Sequence, residues 1–162
     1  MKNIMLALLL SLSFLGCSDE VTAPVDPQIV VGKSLESLTL NDQFEKPHTL
    51  SADTKKVIFA FSKDMGHMSN EFFEKQGADY LSKHNAVFVA DVSGAPSVIR
   101  SMFIMPGLKD FKHTVLVIDD KAKAANYRNE AHKEEIMIVD LNNFVIEKIQ
   151  FVTTAEALDK AL

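Results

Sequence analysis

Three side chains in one short segment have the chemistry to bind a soft metal ion. Residues 59–72 read FAFSKDMGHMSNEF, an apolar run followed by a polar segment that contains Met65, His67 and Met68. Thioether and imidazole groups are soft or borderline ligands that suit Cu(I). The alternative is that both methionines fill gaps in the core and that His67 is an ordinary solvated side chain. The spacing matches no established ligand motif, so both interpretations stay open.

The single cysteine of the chain lies near its N-terminus. The first residues, MKNIMLALLLSLSFLGC, contain one lysine, then an apolar stretch without charge, then Gly16 and Cys17. This is the pattern of a secretory signal. Its end resembles a bacterial lipobox, which implies cleavage before Cys17, lipidation of that cysteine and attachment to a membrane. Ser18, where an aspartate would signal retention at the inner membrane, resembles the pattern for sorting to the outer membrane, facing the periplasm.

These features divide the chain into three predicted parts: a lipoprotein signal peptide over 1–16, a lipid-anchored tether over 17–27 and one domain over 28–162. The tether, CSDEVTAPVDP, is acidic and contains two prolines, which favours an extended segment. An ordinary signal peptide with an incidental cysteine is the alternative. Either way, residues 18–162 contain no cysteine, so a lipidated Cys17 would leave no free thiol, disulfide or thiolate ligand.

Composition is typical of a soluble globular domain. The chain has 162 residues, 47% hydrophobic and 24% charged, with a formal net charge of -5. Acidic and basic residues are interspersed and no basic stripe is visible, so nucleic acid is not an expected partner.

Four apolar runs of strand length alternate with helical patterns. The first helix is expected to begin at Ser69 as its cap and to end near His84, and the second to begin near Pro96. Asn142–Asn143 predicts a tight turn before a last strand and helix. The four predicted strands are Lys56–Phe61, Ala86–Val92, Thr114–Asp120 and Glu134–Leu141. This order predicts an α/β sandwich with a mixed sheet.

Three stretches, in order, carry a resemblance to a known family. They are VGKSLESLTLNDQFEKPHTLS (31–51), KVIFAFSKD (56–64) and HTVLVIDDKAKAANYRNEAHKEEIMIVDLNNFVIEKIQF (113–151). Their order and spacing resemble the thioredoxin-like superfamily, in its branch of peroxiredoxins and TlpA-type periplasmic thiol-disulfide proteins, and more faintly YtfJ-like periplasmic proteins. The resemblance implies a three-layer α/β/α sandwich with a mixed central sheet and a C-terminal β-hairpin plus helix.

Redox members of that superfamily have two landmarks that are missing here. Their reactive cysteines lie in a loop before the first long helix, and a cis-proline opens a strand of the terminal hairpin. The proline position corresponds to about Glu134, where a trans peptide is expected. The loop corresponds to Asp64, Met65, Gly66, His67, Met68 and Ser69. Because the thiolate is the nucleophile in that chemistry, thiol-disulfide or peroxidase activity is not expected.

The resemblance also places segment 64–68 opposite segment 131–135, so His132 could complete a copper site with Met65, His67 and Met68. Three hypotheses follow. The first is a binding or accessory module for an unknown envelope protein, without a cofactor. The second is a copper-binding or copper-delivery protein, and the third is a diverged peroxiredoxin or thiol-disulfide oxidoreductase.

The segment SMFIMPGL (101–108) is rich in side chains that suit adaptable protein contacts. Met102 and Phe103 are expected to pack on the sheet, with Met105 and Leu108 more open.

Overall fold

A computed structural model describes residues 24–162, so the predicted signal peptide, Cys17 and most of the predicted tether lie outside the described residues. The strands that it describes are β1 (Thr39–Asp42), β2 (Pro47–Thr49), β3 (Lys56–Ala60), β4 (Ala86–Asp91), β5 (Leu116–Ile118), β6 (Ile136–Asn142) and β7 (Val145–Val152). The α-helices are α1 (Lys63–Gln76), α2 (Tyr80–Lys83), α3 (Ser97–Ile99), α4 (Met105–Lys109), α5 (Lys121–Tyr127) and α6 (Ala155–Ala161), with a π-helical turn at Arg100–Ile104 and a 3-10 turn at Glu130–His132.

All these strands form one mixed sheet in the order β2-β1-β5-β4-β3-β6-β7. Strands β3, β4 and β5 are parallel, while β6 pairs antiparallel with both β3 and β7. The apolar runs become the central strands because they are buried on both faces, as near-continuous hydrophobic sequence requires. The predicted mixed sheet, C-terminal hairpin and final helix are confirmed.

Helices cover both faces of the sheet and make three layers. On one face, α5 and segment 29–38 pack over side chains that include Val57 and Phe59. On the other face, α1, α2, α4 and α6 pack over side chains that include Ile58 and Phe88. Successive residues of a strand point to opposite faces, so β3 supplies both layers of the core. Among the described residues, no helix is long and apolar enough to cross a membrane.

The prediction for the first helix was wrong at both ends. Helix α1 begins at Lys63 with Ser62 as its cap, so segment Asp64–Ser69 is helical and is not a loop. Ser69 is fully buried within the helix. The helix ends at Gln76 because Gly77 takes a positive φ of 102°, and α2 follows as a separate short helix.

The second predicted helix forms, but its faces are reversed. Helix α3, the π-helical turn and α4 run on without a break over 97–109. Met102 and Phe103, which were expected to pack on the sheet, are 63% and 65% exposed. Leu108, expected to be open, is buried, and Met105 packs against the core. The helical spacing of apolar residues predicts one apolar face, but this segment has two. Leu108 belongs to the buried face.

Candidate functional site

The N-terminus of α1 lies where strand β3 ends, at the carboxyl edge of the parallel strands. The Ser62 side chain accepts a hydrogen bond from the Met65 backbone N–H at 3.4 Å, and the Ser62 carbonyl accepts one from Gly66 N–H at 2.9 Å. Asp64 lies in the first turn, where the helix dipole favours a carboxylate. The strand-to-helix junction is therefore complete as a structural element, with a serine hydroxyl at its cap.

Helical geometry separates the three predicted metal ligands on α1. At about 100° per residue, Met65 and Met68 lie roughly 60° apart, whereas His67 points at least about 100° away from both. Both methionines are half-buried and pack against the core. The His67 side chain is 75% exposed, with Nε2 3.7 Å from Glu71 Oε1. Side chains that point in these different directions cannot converge on one ion.

His132, the fourth predicted ligand, is held elsewhere. Its Nδ1 lies 2.7 Å from Glu135 Oε1, and its ring stacks on Phe151 with 4.0 Å between ring centroids. Because Met65, His67 and Met68 diverge on α1 and His132 is engaged with Glu135 and Phe151, the geometry gives the predicted copper site no support. Among the described residues, no group of three or more His, Cys, Asp or Glu side chains could hold a metal ion either.

A buried histidine contacts α1 on the side that faces the core. His113 is 1% exposed, and its Nε2 lies 3.0 Å from Asn70 Oδ1. Asn70 Nδ2 donates to the Gly66 carbonyl at 2.9 Å, which fixes the orientation of the amide. Because Asn70 Oδ1 can only accept, His113 Nε2 carries a proton. The polar chain His113–Asn70–Gly66 links the core to the first turns of α1.

The other ring nitrogen of His113 is unsatisfied. Nδ1 has no hydrogen-bond partner among the described residues, and Glu74 Oε2 is 4.0 Å away. The rings of Phe73 and Phe111 pack against the imidazole at 5.5 Å and 5.4 Å between centroids. Burial lowers the pKa of His113, and the Glu74 carboxylate opposes this only in part. His113 is therefore neutral at pH 7.

An ion pair closes the carboxyl end of strand β4. Asp91 Oδ1 accepts the Ser93 backbone N–H at 2.8 Å, and its Oδ2 lies 3.3 Å from Arg128 Nη1. Arg128 Nε also donates to Glu130 Oε1 at 2.6 Å, and this bond lowers the pKa of the Glu130 carboxyl. These residues were not predicted from the sequence, although Asp91 is an aspartate at the end of a buried strand, at the sheet edge where α/β proteins often place function. With every charge paired, the group acts as a clamp between β4 and the segment after α5.

A shallow groove of about 710 Å³ lies between strand β1 and segment 97–109. Val98, Arg100 and Met105 of segment 97–109 line one wall, and Thr39 of β1 lines the other. Lys123 of α5 closes one side, where its Nζ donates to the Thr39 carbonyl at 2.8 Å. The lining carries both signs of charge, with the carboxylates Asp42, Glu45 and Asp119 beside the two cationic side chains, and it lacks a nucleophile paired with a base.

The comparisons with known proteins identify the fold. No protein-family model matches the chain, and no curated protein matches its sequence. The solution structure of a candidate protein disulfide isomerase from Bacteroides thetaiotaomicron aligns with a TM-score of 0.51 and 16% identity, over 86% of this chain and 89% of that one. The crystal structure of a peroxiredoxin-like protein from Aquifex aeolicus aligns with a TM-score of 0.50 and 11% identity, over 84% of this chain and 88% of that one.

The chain has a thioredoxin-like fold, as the sequence resemblance implied. Identities this low show the fold alone, so activities named for those proteins do not transfer to this chain.

Proposed function

We propose that this chain is a lipid-anchored bacterial envelope protein whose thioredoxin-like domain binds a partner and performs no thiol chemistry. The observation that carries the proposal is the distribution of cysteine. The chain has one, Cys17, within a sequence that resembles a lipobox, and residues 18–162 have none. Thiol-disulfide exchange and peroxide reduction both need a thiolate nucleophile. The lipid would occupy the one thiol that the chain has.

The residues at the α1 N-terminus do not supply a substitute nucleophile. A serine hydroxyl needs an adjacent general base to react, and the Ser62 hydroxyl serves as a helix cap. The exposed His67 side chain has Glu71 as its nearest charged partner. A diverged thiol peroxidase is therefore disfavoured, because this position has no thiolate to attack the peroxide and to be regenerated through a disulfide.

Retention of the strand-to-helix junction supports a binding role. The junction presents an exposed patch that includes Lys63, Asp64 and His67 at the end of the sheet, and the polar chain through Asn70 to His113 holds it in place. The surface is polar, carries both signs of charge and belongs to a rigid element. Such a surface can make polar contacts of the kind found at the rim of a protein interface.

The residues just before the predicted domain boundary at residue 28 already contact the domain. Asp26 N–H donates to Asn126 Oδ1 at 3.0 Å, and Lys33 Nζ donates to the Pro27 carbonyl at 2.7 Å. Asp26 and Pro27, at the end of the proposed tether, therefore contact the domain, and a tether this short would hold the domain close to the membrane that carries the lipid.

Site-specific photo-crosslinking in intact cells tests the binding role. A photoreactive residue replaces His67 in the full chain, and a matched control replaces Lys148, an exposed residue of β7. We expect a discrete adduct from position 67 that is absent from position 148. Identical patterns at both positions, or no adduct at position 67, would overturn the proposal.

A further inference from the structure

The outer face of segment 97–109 is apolar and exposed. Val98, Ile99, Met102 and Phe103 are between 44% and 65% exposed. Val98 and Ile99 belong to α3, and Met102 and Phe103 to the π-helical turn that continues it, so the four exposed side chains lie within two consecutive helical turns. They form a continuous stripe, called the apolar ridge below, and not a scatter of single residues.

The inner face of the same segment is also apolar. Ile104, Met105 and Leu108 pack against the core beneath α1 and the sheet. A helix that is apolar on both sides is typical of a buried element. Contiguous exposed apolar surface of this kind often marks a site that contacts a protein or a membrane, so the apolar ridge is a candidate contact surface.

Charge on the segment itself is basic, whereas the groove beside it carries both signs. Residues 92–109 contain no aspartate or glutamate and two basic residues, Arg100 and Lys109, but Asp42, Glu45 and Asp119 line the groove that Val98 and Arg100 border. Exposed aliphatic and aromatic side chains beside basic ones are the features of a helix that lies in a lipid interface. Anionic headgroups attract such basic residues.

A second copy of the chain fits the ridge less well. A fully exposed aromatic side chain offers about 150–250 Å², so four side chains that are 44–65% exposed supply on the order of 400 Å². A standard protein interface buries roughly 800 Å² per partner.

The proposed anchor keeps the domain within reach of a lipid surface. From Cys17 to Pro24, the first described residue, an extended chain spans at most about 25 Å, which is less than the width of roughly 35–40 Å expected for a domain of this size. The anchor segment then binds α5, where Gln28 N–H donates to the Asn126 carbonyl at 2.7 Å. Lys123, one turn earlier in α5, lines the groove that Val98 borders.

We infer that the apolar ridge inserts into the lipid surface that carries the Cys17 anchor and docks the domain on it. This inference rests on the proposed lipidation of Cys17. The lipid supplies the permanent attachment, and the ridge sets which face of the domain lies on the membrane.

Tryptophan fluorescence tests the docking directly, because the chain has no native tryptophan. Phe103→Trp places the probe on the ridge. The matched control, Phe44→Trp, places it at another exposed phenylalanine, 50% exposed in the turn between β1 and β2. The full chain, purified from membranes, is reconstituted in vesicles of phosphatidylethanolamine and phosphatidylglycerol with and without brominated acyl chains.

We expect the emission of the Phe103→Trp variant to shift to the blue and to be quenched by brominated lipid, with the emission of the Phe44→Trp variant unaffected. Quenching follows because an interfacial helix buries its apolar face roughly 5–10 Å into the headgroup and acyl boundary. If the Phe103→Trp chain floats with the vesicles but its emission stays unquenched, the docking inference fails while the anchor stands. A blue shift that increases with the density of protein in the vesicles, without quenching by brominated lipid, would show that a second copy covers the ridge. That result would overturn the inference. A chain that does not float with vesicles at all contradicts the lipidation on which it rests.

Discussion

His113 is a buried titratable side chain on which the position of α1 depends. Its protonated Nε2 contacts Asn70, and its Nδ1 faces Glu74 without a hydrogen bond. Burial lowers the pKa of His113 below its ordinary value of 6.5, so folding favours the neutral ring. When the pKa of a group is lower in the folded state than in the unfolded state, the folded protein binds fewer protons at pH values between the two pKa values. Stability then falls as the pH drops through that range. The stability due to neutral His113 is complete above pH 6.5 and falls as the pH drops below it.

The variant His113→Gln tests this pH dependence. Glutamine keeps a donor for Asn70 but does not titrate, so the variant is expected to be less stable than the native chain at pH 7.5 because it packs less well among the phenylalanines. The difference should shrink as the pH falls from 6.5 to 5.5, by at most about 1.4 kcal/mol per pH unit for one proton. Urea unfolding at several pH values measures it. A difference in the free energy of unfolding that stays constant with pH would contradict the account.

Contacts at this scale were beyond sequence reasoning. Asn70 lies 43 residues from His113, and Asp91 lies 37 residues from Arg128. No local period or motif connects such pairs, because the sheet topology decides which loops meet. The residue types alone suggested a metal site at Met65, His67 and Met68, and the helical backbone of α1 separates them.

At the scale of the elements, α1 shows how local propensity misled the prediction. The segment SKDMGHMSN contains glycine and short polar residues, which favour a loop with Ser69 as the cap. Gly66 within a helix costs about 1 kcal/mol relative to alanine. Packing of Met65 and Met68 against the core offsets this cost, and such tertiary contacts commonly override propensity.

Two serine substitutions distinguish the two possible starts of α1. Ser62→Ala removes the observed cap and should lower the free energy of unfolding by about 0.5–2 kcal/mol. Ser69→Ala removes a buried hydroxyl that has no partner among the described residues, and alanine is the better helix former. It should leave stability unchanged or raise it by about 1 kcal/mol.

Thermal or urea unfolding of the two variants gives the comparison. Loss of stability from Ser69→Ala together with no effect of Ser62→Ala would mean that the helix begins after Ser69. The expected opposite order supports the start at Lys63.

Segment 97–109 shows a different limit of sequence patterns. Its two apolar faces both follow helical spacing, so periodicity correctly predicted a helix but could not identify the buried face. The segment connects β4 to β5, and the positions of these two strands decide which face of the helix is buried. The π-helical turn at Arg100–Ile104 widens the helix in the middle of the segment. π-helical turns are frequent at functional sites, and here the turn includes Met102 and Phe103 of the apolar ridge.

At the scale of the whole molecule, the fold was predictable because it depends on the order of buried runs. Strands β3, β4 and β6 came directly from continuous apolar sequence, and all three lie at the centre of the sheet. The order of strands and helices leaves few topologies for such a chain. Function was less accessible, because it depends on surfaces, and the sequence does not state which surfaces stay exposed.

The state of Cys17 decides most directly whether this is a thiol-free, lipid-anchored domain. Intact-mass spectrometry measures it on the full-length gene product, isolated from bacterial membranes, denatured and then treated with iodoacetamide to alkylate any free thiol. We expect a mature chain that begins at Cys17, carries the mass of acyl groups and takes up no iodoacetamide, since the chain has no other cysteine. A chain without acyl mass, or one that takes up iodoacetamide at Cys17, would contradict it.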